Sequence, residues 1–142
     1  MINKTLFSIF QKGSKTYFYS SLFFPSRMRK DVFSLYAFVR KADNFVDSIP
    51  QNSNGFYEFK ENYQKALDGK ESNDVVINSF VELSFRKSFD PAWTDAFLDS
   101  MESDINKNRY ESIDSVIDYM YGSAEVIGLY MAKILNLPDQ AL

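Results

Sequence analysis

A chain of 142 residues with 14 Phe, nine Tyr and one Trp is long enough for one domain with a sizeable and unusually aromatic interior. Its formal net charge of −3 at pH 7 and sequence pI near 5.0 argue against a nucleic-acid binder working through a general basic surface. With no Cys and no His, disulfides, thiolate metal sites, thiol nucleophiles and the commonest general base are excluded, so any catalysis must run on carboxylates, Tyr, Lys, Arg, hydroxyls and a hard metal.

Helical periodicity dominates, and convincing strand alternation is missing. The first segment, about residues 3 to 22, carries Leu6, Phe7, Ile9 and Phe10 and breaks or bends near Gly13-Ser14. Its start lacks a secretory hydrophobic core, and the sequence holds no apolar run of about 18 residues, so a cytoplasmic location is expected. Pro25-Ser26 starts a second helix that runs to about Ser48, and Ile49 to Gly55 reads as a loop. A third helix spans about 56 to 68 and stops at Gly69. Asn73 or Asp74 caps a fourth, about 75 to 88, with Val76, Phe80 and Leu83 inward. Asp90-Pro91 is a cap followed by proline at the first helical position, and the fifth helix then places Trp93, Phe97, Leu98, Met101 and Ile105 at core spacing. Ser112 or Asp114 opens a sixth that reaches about Asn136. The expectation is a single all-α domain over residues 1–142, a bundle of about six helices without repeats or linkers.

The second helix has three faces. At about 100° per residue with Tyr36 at zero, Arg29, Arg40, Asp43 and Asp47 fall within about 40° of one another or of Tyr36, in one polar stripe. Leu35, Phe38, Val39, Ala42, Phe45, Val46 and Ile49 form the apolar face, and Lys30, Ser34, Lys41, Asn44 and Ser48 take the remaining sector. Carboxylates at i and i+4 repel by a few tenths of a kcal/mol, a conflict that a bound cation would remove. Hard oxygen ligands select Mg²⁺ or a similar ion, which leaves coordination sites for water and substrate phosphates. The alternative is a solvated face on which Arg40 and Lys41 supply local ion pairs. Seven of the 16 basic residues, Lys12, Lys15, Arg27, Arg29, Lys30, Arg40 and Lys41, lie between positions 12 and 41, as either a local anion site or a solvated basic face. In the sixth helix, Gly122 and Gly128 each cost on the order of 1 kcal/mol relative to Ala. Either tight packing over Gly122, Ala124 and Gly128 or room for a bulky apolar ligand would account for them.

Three stretches then resemble one family. Gly13-Ser14-Lys15-Thr16-Tyr17-Phe18-Tyr19, Phe24-Pro25, and Tyr36 through Asp47 (YAFVRKADNFVD), in that order and spacing, resemble the N-terminal part of the squalene and phytoene synthase family. Tyr119 through Gly128 (YMYGSAEVIG) is similar to that family's Tyr-Cys-Tyr-x-Val-Ala-Gly-x-Val-Gly segment. The resemblance implies an isoprenoid (terpenoid) synthase fold, here incomplete, and a transferase that condenses two prenyl diphosphates head to head through a cyclopropylcarbinyl diphosphate. It implies farnesyl or geranylgeranyl diphosphate as substrate and Mg²⁺ as cofactor, held by Asp43 and Asp47 and acting as a Lewis acid on the leaving diphosphate.

By the same resemblance Ser14, Lys15, Thr16, Tyr17 and Arg40 match positions that contact diphosphate, with Lys12 a weaker match. Tyr36 and Tyr119 match positions near the reacting centre, where ring faces favour a carbocation, and Ser123, Val126 and Gly128 would border the prenyl chain. Two departures stand out: Glu125 replaces a family glycine, and the family's second aspartate-rich motif has no counterpart before Leu142. Asp99 with Asp104, and Asp114 with Asp118, read as solvated helical faces instead. The expectation is therefore the N-terminal part of a longer synthase, or a short homologue, inactive alone and self-associating through faces that further helices would cover. Phytoene synthase is preferred over squalene synthase, and a lipophilic product makes peripheral membrane contact reasonable. From a different class, a non-catalytic helical module that binds a prenyl diphosphate or a partner helix fits the same residues, as does a helical interaction protein without a ligand. A His-dependent di-iron bundle is disfavoured.

Overall fold

The computed structural model describes residues 26–48, 50–106, 113–114 and 121–136, and every regular element among them is helical. Helix α1 is Ser26–Asp47, α2 is Ser53–Leu67, α3 is Val75–Arg86 and α4 is Pro91–Asn106; a π-helical turn, Tyr121–Glu125, leads into α5, Val126–Ile134. The helix expected over about 3–22, and Ile49 of the apolar face, lie outside the described residues. No helix among those described is long and apolar enough to cross a membrane.

Local chemistry sets the helix ends. Asp74 Oδ1 accepts from Val76 N at 2.9 Å at the start of α3, and Asp90 Oδ1 accepts from Ala92 N at 2.9 Å just ahead of Pro91, so both expected caps form. Helix α2 begins earlier than its apolar spacing suggests, because Asn52 Oδ1 takes the Gly55 N–H at 3.0 Å. Gly69 (φ 96°), Ser88 (φ 53°) and Asn136 (φ 59°) follow α2, α3 and α5 in the left-handed region, the usual way to turn a chain out of a helix.

Helix α1 is the axle of the bundle, touching α2, α3, α4 and α5. That position revises the three-faced reading of its sequence. Leu35, Phe38, Ala42 and Val46 are buried as expected, but so are Phe33, Asp31 and Ser34. Ser34 bonds back to the Lys30 carbonyl at 3.2 Å, and Lys41 is tied to Asp74 at 2.5 Å. A helix with neighbours on several sides has less of a solvated sector than a wheel drawn for a surface helix implies.

The aromatic residues fill the interior by direct contact. Phe38 of α1 stacks on Phe80 of α3 with centroids 3.9 Å apart and planes 11° from parallel, and Phe59, Tyr63 and Phe97 surround it at 5.0, 5.4 and 6.2 Å. Tyr130 of α5 meets Phe80, Phe89 and Trp93 at 5.7, 4.7 and 5.7 Å. Such pairs contribute about 0.5–1.5 kcal/mol each beyond area burial. The buried Thr94 hydroxyl hydrogen-bonds the Tyr130 hydroxyl, so α4 and α5 share a satisfied polar link inside an apolar core. Burial pushes the Tyr63 and Tyr130 phenols above their ordinary range.

The expected sixth helix does not run as one regular α-helix. Ile113 and Asp114 are helical, but Tyr121–Glu125 widens into a π turn before α5 begins. Gly122 lies in that turn so close to α4 that a Cβ would sit 1.9 Å from Ser100 Oγ and 2.4 Å from the Ala96 carbonyl oxygen. Tight packing is thus the reason for this glycine. Gly128 is different, since among the described residues a Cβ there would meet nothing within 4 Å.

Candidate functional site

The polar stripe of α1 survives at its C-terminal end. Arg40 Nη1 donates to Asp43 Oδ2 at 3.2 Å, with the two side chains 37% and 31% exposed. Asp43 is therefore reachable from solvent but partly desolvated. Its pKa is pushed from the ordinary 3.8 up to about 6, first by burial, then by the Asp47 carboxylate one turn on; Arg40 opposes the rise and Asp104 adds to it. Two carboxyl groups one turn apart that compete to ionise are in the state a divalent cation would relieve.

Asp104 was expected on a solvated face, and this is corrected. It lies partly buried near the end of α4, and its charge is felt at Asp43 across the α1–α4 contact. Gln51, in the connection between α1 and α2, donates to the Asp104 carbonyl at 3.1 Å. Lys60 of α2 donates to Glu102 of α4 at 2.9 Å, and this bond holds the Glu102 carboxyl below its usual range. The acidic end of α1 thus faces a part of α4 that is tied down from α2. Asp99 remains exposed.

The donor set suits a hard cation in one limited sense. Asp43 and Asp47 offer carboxylate oxygens from one face of one helix, the donor type that Mg²⁺ held by one or two carboxylates takes. Among the described residues no group of three or more Asp, Glu, His or Cys side chains could by itself hold a metal. The remaining sites would fall to water and phosphate oxygens. Arg40, in contact with Asp43, has a planar fork fitted to phosphate.

Tyr36 is half-buried on the same stripe and packs against the core. Val126 is fully buried in the core, whereas Ser123 is partly buried and Gly128 exposed on the turn and helix that follow Gly122. The structure brings together Arg40, Asp43 and Asp47; Lys12, Ser14, Lys15, Thr16, Tyr17 and Tyr119 lie outside the described residues.

Besides Asp104, two ion pairs on α1 escaped the sequence reading. Asp31 is gripped by Arg86 Nη2 and Nη1 at 2.5 and 3.0 Å, and Arg86 Nε also reaches Glu82 at 2.8 Å; these carboxylates raise the guanidinium further above its ordinary value. Lys41, set beside Arg40 in sequence, spends its charge on the cap residue Asp74. The spacing offered a signal. Asp31 stands at i with Leu35, Phe38 and Ala42 at i+4, i+7 and i+11, and Asp104 follows Phe97 and Met101 at i+4 and i+7, so both lie on inward stripes.

Residues 10–142 match the squalene/phytoene synthase family. A 15-cis-phytoene synthase of Pantoea ananas is 24% identical over 140 residues, which cover 91% of this chain and 45% of that protein. A 4,4'-diapophytoene synthase of Staphylococcus haemolyticus is 27% identical over 137 residues, covering 92% and 47%. In three dimensions the chain matches a crystal structure of a dehydrosqualene synthase in complex with ligand at a TM-score of 0.81, with 24% identity, over 92% of this chain and 46% of that one. The all-helical fold is thus the one seen in that synthase. The chain spans about half the length of the curated relatives it matches.

Proposed function

The chain belongs to the squalene/phytoene synthase family, and on that premise we propose that it forms the first diphosphate half-site of an enzyme condensing two prenyl diphosphates head to head, of the phytoene synthase type. The observation that carries this is the acidic end of α1: Asp43 and Asp47 in mutual repulsion, with Arg40 beside them. Asp43 and Asp47 would hold Mg²⁺, which supplies charge neutralisation to a departing diphosphate. Arg40 would leave its 3.2 Å contact with Asp43 to engage phosphate oxygens in bidentate fashion. The half-buried Tyr36 would turn its ring toward the positive charge that develops on the allylic carbon. None of these residues acts as a nucleophile, and the second prenyl chain supplies the electrons of its double bond. The names of the relatives support farnesyl or geranylgeranyl diphosphate as the substrate class.

Calorimetric titration of a non-hydrolysable farnesyl or geranylgeranyl diphosphate analogue, with and without Mg²⁺, tests the reading. Binding that requires Mg²⁺ and is lost in Asp43→Asn/Asp47→Asn is expected. No binding by the folded chain would overturn the claim that this portion holds a diphosphate half-site.

A further inference from the structure

We propose that Asp31–Arg86 and Lys41–Asp74 act together as a register lock that sets the axial position of α1 on α3, and so the position of Asp43 and Asp47. The positional part of this inference rests on the diphosphate site proposed above; the lock itself does not.

The two pairs cross the same interface at opposite ends. Asp31 of α1 meets Arg86 at the last turn of α3, and Lys41 of α1 meets Asp74 at the cap of α3, so the helices run antiparallel. Ten residues of α1 and twelve from the cap to the end of α3 separate the staples, about 15 and 18 Å of helix. Between them the contact centres on the flat Phe38–Phe80 stack. Offset stacking tolerates sliding, and apolar burial has no direction, so the interior by itself defines the axial register weakly.

The charges do define it. A slide of one turn, about 5.4 Å, separates both pairs at once, and a parallel arrangement would put Asp31 beside Asp74 and Lys41 beside Arg86, like on like. Asp74 serves twice, since Oδ1 caps α3 while Oδ2 takes Lys41. Lys41 lies within two residues of both Arg40 and Asp43, so the staple holds the turn from which the polar stripe projects. Lys41, Asp74, Asp31 and Arg86 are positioning residues.

Because the chain has no Cys, spin labels at Asn44→Cys and Phe85→Cys, both exposed, report the α1–α3 register without ambiguity. The full chain should give one narrow distance distribution by pulsed electron paramagnetic resonance. Lys41→Met combined with Asp31→Asn and Arg86→Gln should broaden it or add a population displaced by about one turn, roughly 5 Å, while circular dichroism stays helical. Lys41→Met alone, a change at a partly exposed site, should show a smaller broadening that Lys41→Arg reverses, and it carries the test if the combined variant fails to fold. An unchanged narrow distribution in folded Lys41→Met and in any folded combined variant would overturn the lock.

The second measurement is the Mg²⁺ concentration giving half-maximal binding of the farnesyl diphosphate analogue. Lys41→Met should raise it, and Lys41→Arg should restore it. Altered distances with an unmoved Mg²⁺ dependence would overturn the positioning role. Absence of Mg²⁺-dependent binding in the parent chain would overturn the diphosphate site, and the positioning role with it, while the ligand-free distances still decide the lock.

Discussion

At its N-terminal end α1 carries Asp31, 7% exposed and held by two nitrogens of Arg86, whereas toward its C-terminus it carries Asp43, 31% exposed, with one contact to Arg40 and a neighbour of its own sign. One residue type on one helix is finished in the first place and left with capacity in the second. A similar contrast separates two glycines, because Gly122 meets α4 while Gly128 meets nothing among the described residues. Asp31 and Gly122 are accounted for by neighbours inside the chain, whereas Asp43 and Gly128 are less enclosed among the described residues. The following substitutions break or sharpen that distinction.

Arg86→Met should do most harm, since it leaves the buried Asp31 carboxylate without its fork. A loss of about 2–3 kcal/mol is expected, reduced by the half-exposed guanidinium end, and a urea midpoint lowered by roughly 1 M would register it. Retention of full stability would show that Asp31 is not a finished position. Gly122→Ala comes next, at about 2 kcal/mol, because its Cβ meets the Ala96 backbone as well as the Ser100 hydroxyl; an unchanged thermal midpoint would remove the close approach as the reason for this glycine.

Asp43→Asn should act in the opposite sense. The folded chain binds the Asp43 proton more tightly than the unfolded chain does, so in the metal-free protein this group's contribution to stability falls as pH rises from 3.8 toward about 6. The variant escapes that loss. With chelator present it should exceed the parent by about 1 kcal/mol above pH 6, the full shift being discounted for solvent exposure, and the difference should vanish below pH 3.8. A pH-independent difference would refute the assignment. Gly128→Ala carries the smallest effect, a gain of roughly 0.5–1 kcal/mol from the helix interior. If Gly128 borders the prenyl chain, the gain will come with weaker binding of the diphosphate analogue, and stability with unaltered affinity would place the ligand elsewhere.

Much of this architecture was legible in the residues themselves. The apolar spacing of Val76, Phe80 and Leu83, the caps Asp74 and Asp90 with Pro91, and the stop at Gly69 all mark helices that form where expected, since caps and periodicity are local properties of a chain. The stripe of Arg40, Asp43 and Asp47 was likewise readable, because it depends only on the helical repeat. The role of each acidic residue was less legible. Asp31 and Asp104 sit on inward stripes, yet a carboxylate on such a stripe has no meaning until its partner is known, and Arg86 lies 55 residues from Asp31.

Helix type, helix ends and the Arg40, Asp43, Asp47 stripe were therefore determined by the sequence alone, through interactions within about one turn. Tertiary structure decided that α1 is the central helix, that Lys41 is consumed by Asp74 while Arg40 stays at the acidic stripe, that Asp104 charges the space opposite Asp43, and that Gly122 packs where Gly128 does not. Each of these depends on which distant segment arrives at a given face, and the price of burying a charge or a bare backbone is set by that neighbour, not by the residue that carries it.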